Sequence, residues 1–64
     1  MLNKNFEINS DIYPENLILE AINDFKDVSN IIYSNNSLFI EDENPQEIFN
    51  ELINYITALY NQLN

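Results

Sequence analysis

The placing of apolar residues on alternate sides of an extended chain predicts strands in two parts of the sequence. Residues 4–9, KNFEIN, place Lys, Phe and Ile on one side and polar residues on the other. Residues 28–34 and 37–42 are also strand-like, but they carry apolar residues on both faces, with Ile31, Tyr33, Leu38 and Ile40 on one face and Val28, Ile32 and Phe39 on the other. Because successive side chains of a strand point to opposite faces, each segment has one face suited to a core. The pattern predicts one strand near the start of the sequence and two consecutive strands in its middle.

The two middle strands are separated by SNNS, which predicts a tight hairpin. Asn tolerates a positive φ angle better than any residue except Gly, so Asn35 and Asn36 can form a two-residue type I′ turn. That turn fixes which residues of the two strands lie opposite each other. The predicted cross-strand pairs are Tyr33 with Leu38, Ile32 with Phe39, Ile31 with Ile40, and Asn30 with Glu41.

Two further segments have the 3.6-residue periodicity of amphipathic helices. Residues 14–26 form the first, and Pro14 suits its first turn. Residues 45–62 form the second, with Pro45 at its start and Asn44 as its predicted N-cap. The apolar face of the second helix is wider than one small sheet needs. Its members are Ile48, Phe49, Leu52, Ile53, Tyr55, Ile56, Leu59, Tyr60 and Leu63.

The element order β-α-β-β-α predicts a single small α+β domain over residues 1–64. A right-handed crossover makes the first strand parallel to the second, so the third strand fits between them. The prediction is a three-stranded sheet of order 1-3-2 with two helices packed on one face. This arrangement resembles a ferredoxin-like fold that lacks its last strand.

Composition removes several classes of function. The chain has 64 residues, a net charge of −9, and neither Cys nor His. The absence of Cys and His removes disulfides and the usual zinc, copper and iron ligands. The excess of carboxylates repels nucleic acids and anionic membrane surfaces. We therefore expect no nucleic-acid partner and no membrane association. The sequence also lacks both a signal peptide and an 18-residue apolar stretch, so we expect a cytoplasmic location.

The residues needed for catalysis are also scarce. No Gly is present for a phosphate-binding loop, and Lys4 and Lys26 are the only cations. We therefore expect a protein that is not an enzyme and that carries no catalytic residue, metal or cofactor. The acidic segment 41–44 with Glu47 lacks the spacing and the Gly of an EF-hand, and a solvated loop before a helix explains it. Contact with a basic partner remains an alternative for this segment.

The predicted register leaves apolar residues on the face of the hairpin that the helices do not cover. These residues are Val28, Ile32 and Phe39, and they form the candidate binding surface, with Tyr60 on the second helix as a further member. A cluster of exposed apolar residues often marks an interface. The alternative is that Ile32 and Phe39 only stabilise the sheet as a cross-strand pair.

Residues 11–33, DIYPENLILEAINDFKDVSNIIY, resemble the small D protein of the His-Xaa-Ser peptide-maturation system. The matching positions are Tyr13, Pro14, Ala21, Phe25 and Asp27. The chain departs from the family pattern at Val28, where the family tends to have Arg, and at its C-terminal end, which lacks the basic residue of the family. Contacts made by those cations in the family are therefore not expected here.

The resemblance implies an accessory protein that works beside radical S-adenosylmethionine enzymes acting on a ribosomal peptide. We expect a non-catalytic adaptor that binds a protein or peptide partner, either the peptide substrate or the radical enzyme. Two alternatives remain open from the residues alone. One is a self-assembling structural homodimer, and the other is an acidic inhibitor or antitoxin-like protein that covers a basic surface.

Overall fold

The computed structural model describes residues 2–63 and has an α+β fold. The elements are β1 (Leu2–Glu7), α1 (Glu15–Phe25), β2 (Asn30–Ser34), β3 (Ser37–Asp42) and α2 (Pro45–Leu63). The strands form one antiparallel-paired sheet of order β1-β3-β2, with β3 in the centre. The predicted element order, sheet order and fold class are confirmed.

The hairpin turn sets the register of β2 on β3. Asn35 and Asn36 have φ angles of 48° and 61°, the left-handed values that a type I′ turn requires at both of its central residues. The four predicted cross-strand pairs are all present. Asn35-Asn36 therefore takes the place of the Asn-Gly sequence that is more common in such turns, in a chain that contains no Gly.

Two strands have bounds that differ from the predictions. β1 covers Leu2–Glu7 rather than 4–9: it begins earlier because Leu2 pairs with Asp42 at the end of β3, and it ends earlier because the chain turns at Asn9, whose carbonyl accepts the Ile12 and Tyr13 amides. β2 begins at Asn30 rather than at 28, because the amide of Val28 still donates to the Phe25 carbonyl at 2.9 Å. Alternation in sequence extended both strands into residues whose backbone bonds belong to turns.

The helices begin as their sequences indicate. Pro14 directly precedes α1, with φ −55° and ψ 133°. Pro45 is the first residue of α2, and Asn44 caps this helix as predicted. The Glu47 amide donates to Asn44 Oδ1 at 3.3 Å, and Asn44 Nδ2 donates to Glu47 Oε2 at 3.2 Å. The first bond satisfies the Glu47 amide, one of the backbone donors that the first turn of a helix leaves without partners, and the second holds the two side chains together.

One core joins the sheet to both helices. The inward residues of the hairpin and the apolar stripes of α1 and α2 meet on the same side of the sheet. The fully or nearly fully buried apolar residues are Ile8, Leu17, Ile18, Ala21, Ile31, Leu38, Ile40, Ile48, Leu52 and Ile56. Since β3 is the central strand and Leu38 and Ile40 have no exposed area, the middle of the core lies over β3.

The wide apolar face of α2 is largely used inside the chain. On one flank Phe49 stacks on Phe6 of β1, with ring centroids 4.3 Å apart. On the other flank the Tyr55 ring lies against Phe25 of α1, with centroids 5.5 Å apart, and its hydroxyl donates to Asp24. The width of the stripe thus reflects contact with two neighbouring elements in addition to the centre of the sheet.

The cap of α2 generates a stability prediction. Replacing Asn44 by Ala should lower the free energy of unfolding by about 1 kcal/mol, because the Glu47 amide loses its acceptor. Urea denaturation followed by circular dichroism measures this change. Asn54→Ala, at an exposed position within the same helix, should cause no loss because Ala is the stronger helix former. Equal losses in the two variants would contradict a capping role for Asn44.

The contact between Tyr55 and Asp24 generates a pH prediction. The hydrogen bond to Asp24 raises the pKa of Tyr55, with further contributions from desolvation and from the charges of Asp24 and Glu20. The fold therefore favours the neutral phenol. This stabilisation is present below the unfolded pKa of about 10 and is lost as the pH rises through the higher folded value.

The free energy of unfolding should consequently decrease above about pH 10, and less steeply in Tyr55→Phe. Burial and the Glu15 carboxylate raise the pKa of Tyr33 as well, so Tyr33→Phe is the matched variant. It should also make the decrease of the unfolding free energy with pH less steep, independently of Tyr55→Phe. Urea titrations at a series of alkaline pH values measure both. An unchanged slope in Tyr55→Phe would show that Asp24 does not favour the neutral phenol.

Candidate functional site

The face of the sheet opposite the helices carries a small apolar centre. Ile32 and Phe39 are direct cross-strand partners, so their side chains lie next to each other. Both alternate with residues that point into the core, and neither has a helix above it. Ile32 keeps 55% of its surface exposed, and Phe39 is half-buried. The structure thus brings two of the four predicted binding residues together.

Polar residues surround this centre along the strands. In β1, Asn5 pairs with Phe39 and so continues the central row toward the other side of the sheet. The neighbouring row contains Asn30 and Glu41, and Asn30 Nδ2 donates to Glu41 Oε1 at 3.4 Å. The opposite row consists of Ser34, Ser37 and Glu7. The open sheet face is therefore an apolar pair enclosed by amides, hydroxyls and two carboxylates.

Val28 is not part of the sheet. The residue is 62% exposed and belongs to the turn between α1 and β2. Its predicted place on the open face depended on a strand that begins at residue 28, and β2 begins two residues later. Strand alternation consequently does not assign its side chain to either face.

Tyr60 lies on a different surface from Ile32 and Phe39. It belongs to α2, in the helical layer on the other side of the sheet, and is 47% exposed. Tyr60 lines a hollow of about 140 Å³. The other residues of this hollow are Ile12, Tyr13, Pro14 and Thr57. The four predicted binding residues therefore do not form one continuous surface.

Sequence reasoning missed the apolar side of this hollow. Ile12 is the most exposed large apolar residue of those that the structure describes, at 66%. It stands in the turn SDIYP, whose other residues indicate only a loop before a helix. The signal in the sequence was a large aliphatic residue in a polar turn. Because Ile12 lies outside the periodic segments, helix or strand periodicity did not predict which residues it would lie beside. A second, larger hollow of about 300 Å³ lies at the hairpin end of the sheet and is lined by Ile8 and by polar residues of the two turns and of the adjoining ends of β1 and β3.

The acidic segment before α2 has a structural explanation. Asp42 Oδ2 accepts the Asn44 amide at 3.0 Å, and Asp42 Oδ1 accepts the Ser29 hydroxyl at 2.9 Å. These donors lower the pKa of Asp42, the Asn44 amide contributing most. Ser29 is the buried polar residue that this bond satisfies. The carboxylate thus joins the start of β2 to the end of β3 and orders the loop that positions the helix cap.

Within residues 2–63 no His, Cys, Asp or Glu side chains gather in a group of three or more that could hold a metal ion. Over the same residues, neither helix is long and apolar enough to cross a membrane.

Comparisons with known proteins identify no relative of this chain. Searches against protein-family models, curated proteins and solved structures each found no match.

Proposed function

We propose that this protein is a non-catalytic adaptor that binds a protein or peptide through the open sheet face. One observation carries the proposal: Ile32 is more than half exposed beside Phe39, on the side of the sheet opposite both helices. A small domain gains stability from each apolar side chain that it buries, and here two neighbouring ones lie outside the core. A partner that covers them recovers the free energy of their burial.

The size of the apolar pair sets the strength of the contact. Complete burial of one large apolar side chain contributes about 1.5–3 kcal/mol, so Ile32 and Phe39 alone support only a weak complex. Aromatic residues at the centre of a polar rim are the usual sites where binding energy concentrates. Phe39 occupies that position, with Asn5 and Ile32 on either side of it in the central row. The remaining affinity would come from the polar rim.

Charge narrows the kind of partner. The net charge is −9, and the rim of the open face contributes Glu7 and Glu41. Complementary charge accelerates association and excludes acidic proteins. A partner segment with one apolar anchor and flanking Lys or Arg residues fits this surface best.

The resemblance of residues 11–33 to the D protein of the His-Xaa-Ser system supplies a candidate for that partner. It would be the ribosomal peptide or the radical S-adenosylmethionine enzyme that modifies it, in the cytoplasm. Tyr13, Pro14, Ala21, Phe25 and Asp27 carry the likeness. None of these residues belongs to the open face, so the resemblance bears on the cellular role and the geometry bears on the binding surface.

A pair of variants on opposite layers tests the proposal. Phe39→Ser should keep the fold and remove the partner, because it deletes the aromatic anchor while Leu38 and Ile40 remain in the core. Tyr60→Ser, on the helical layer, should retain the partner. The measurement is affinity capture of each tagged protein from its native lysate, with mass spectrometry of the bound chains and circular dichroism of each variant.

Recovery of a radical-enzyme subunit or a peptide precursor by the parent chain and by Tyr60→Ser, with its loss in Phe39→Ser, is the expected result. Equal recovery in both variants would exclude the open face as the contact. Unfolding of Phe39→Ser would show that Phe39 belongs to the core and would remove the basis of the proposal.

A further inference from the structure

The outer edge of β1 is open along the part of the chain that the structure describes. In the order β1-β3-β2, β1 pairs with β3 on one side only, and this pairing is continuous. All of its residues are exposed except Phe6, which is half-buried. A lysine commonly protects such an edge, but Lys4 lies over the Phe6 ring, 5.2 Å from its centroid, with Nζ 3.5 Å from Gln46 Oε1. The backbone of this edge is therefore suited to accept a further strand.

The register of the sheet identifies the backbone groups of β1 that face outward. Ser34 and Ser37 flank a two-residue turn and so form a hydrogen-bonded pair, after which bonded and non-bonded pairs alternate. The even-numbered residues of β3 consequently bond to the even-numbered residues of β1. Ile8 follows the same rule, because its amide donates to the Asn36 carbonyl at 2.8 Å. The residues whose backbone groups face the open edge are Asn3, Asn5 and Glu7.

The positions of the helices allow a second copy at the β1 edge but not at the β2 edge. α2 contacts both β1 and β3, whereas α1 contacts β2 and neither of the other strands. Neighbouring strands lie about 4.8 Å apart, so α2 lies about 5 Å from an axis that pairs two β1 strands. Two copies of α2 are then about 10 Å apart, as in packed helices. Two copies of α1 across paired β2 edges would be only about 5 Å apart, which helix packing excludes.

Three exposed large apolar residues lie on the β1 side of the molecule. Leu2 is 63% exposed and shares the helix-facing side of β1 with Phe6. Tyr60 follows Phe49 by eleven residues, about three helical turns, so it lies on the flank of α2 that stacks on β1. Ile12 is 66% exposed and lines the same hollow as Tyr60. This side of the chain therefore leaves apolar surface uncovered.

A two-fold axis at Asn5 uses all of the outward backbone groups. Antiparallel pairing places Asn5 opposite its own copy and Asn3 opposite Glu7 of the second copy, which gives three bonded pairs. The same register places Lys4 opposite Phe6, so no like charges lie directly opposite each other. An axis at Lys4 or at Phe6 leaves only two bonded pairs, and the former brings two lysines together. The backbone and the charges thus select one register.

This register also brings the exposed apolar residues together. Leu2 pairs with Asp42 at one end of β1, whereas Ile12 lies just beyond the other end, in the turn that follows Ile8. Because the two strands are antiparallel, Leu2 of one copy lies opposite Ile8 of the other. It therefore reaches the hollow that Ile12 and Tyr60 line in the second copy. The two-fold axis repeats this contact at both ends of the interface.

The flank of α2 that faces the second copy carries no charge. At about 100° per residue, Glu47 and Glu51 lie roughly 120° or more from the centre of this flank. Two chains of net charge −9 repel each other, and an uncharged flank keeps that repulsion lowest at the contact. The residues of this flank are Gln46, Phe49, Ile53, Thr57 and Tyr60.

We propose that the protein forms a two-fold homodimer through the β1 edge, with a continuous six-stranded sheet and the two copies of α2 antiparallel on one side of it. The interface consists of the outward backbone groups of β1, the uncharged flanks of α2, and Leu2 against Ile12 and Tyr60 of the second copy. This assembly does not depend on the adaptor role. It aligns the two open faces, because Asn5 lies in the central row beside Phe39.

Opposite charges at the axis test the register. Asn5→Asp and Asn5→Lys each place two like charges opposite each other, so each should weaken the homodimer about tenfold. An equal mixture of the two variants should form a heterodimer at least as strong as the parent dimer, because Asp then faces Lys. Sedimentation equilibrium of the parent chain should give twice its 7.6 kDa mass, with dissociation on dilution. Native mass spectrometry separates the heterodimer from the two homodimers.

Matched controls separate the axis from net charge. Asn23 is exposed on α1, which lies over β2, so Asn23→Asp and Asn23→Lys change the charge far from the β1 edge. Their mixture should show no excess of heterodimer. Added salt should strengthen the parent dimer, because it screens the repulsion of two acidic chains and the interface contains no ion pair.

The apolar ends of the interface have their own test. Leu2→Ser should weaken the dimer about tenfold, because it removes an apolar side chain from both ends. Leu19→Ser is the control, since Leu19 is 50% exposed on α1 and lies outside the interface. Its dissociation constant should match that of the parent chain. Circular dichroism of each variant confirms that the fold is retained.

Three results would overturn the homodimer: a monomer mass at every concentration, Asn5 variants that behave like the Asn23 controls, or Leu2→Ser with the affinity of Leu19→Ser. Phe39→Ser should dimerise like the parent chain, because Phe39 lies in β3, and Leu2→Ser should retain the captured partner. A loss of partner capture without a loss of dimer, or the reverse, therefore distinguishes failure of the adaptor proposal from failure of the dimer.

Discussion

The register of β2 on β3 is the constraint on which the other features of this structure depend. Side chains of a strand alternate between faces, so a shift of one residue would exchange the core face and the open face. The positive φ angles of Asn35 and Asn36 hold the register in which Leu38 and Ile40 are buried. In the shifted register Ile32 and Phe39 would compete for the core. The conformation of two amide residues in a turn thus determines which apolar residues reach the surface.

The second helix uses apolar residues on three parts of its surface to pack against the rest of a short chain. With 64 residues and no disulfide, the fold has few ways to increase its stability other than packing. α2 contributes its centre to the main core, Phe49 to the stack on Phe6, and Tyr55 to the contact with α1. These lateral contacts fix the position of α2 over β1 and β3 and leave β2 under α1. Because α2 lies over the other two strands, α1 is the only helix beside the outer edge of β2 among the described residues.

The local pattern of the sequence was sufficient for the fold but not for the surface. Periodicity, the Asn35-Asn36 turn and the Asn44 cap predicted the elements and the hairpin register, because each depends on residues close together in sequence, and the crossover rule then predicted the order of strands. The contacts of Tyr55 with Asp24 and of Phe6 with Phe49 join residues far apart in sequence, and no local pattern specifies them. The same limit applies to the candidate site. The hairpin register correctly predicts that Ile32 and Phe39 lie on the open face. The predicted place of Val28 depended on where β2 begins, and that of Tyr60 on which way one side of α2 faces.

The central place of β3 also has a consequence for the order in which the chain acquires its structure. β1 is synthesised first, but its partner β3 is the last strand made, and Leu2 pairs with Asp42. At about 5–20 residues per second, a ribosome takes a few seconds to produce the intervening chain. The β2–β3 hairpin is local and can close within about 1–10 μs once it emerges. Nascent β1 therefore waits as an unpaired segment, and docking onto a preformed hairpin completes the sheet.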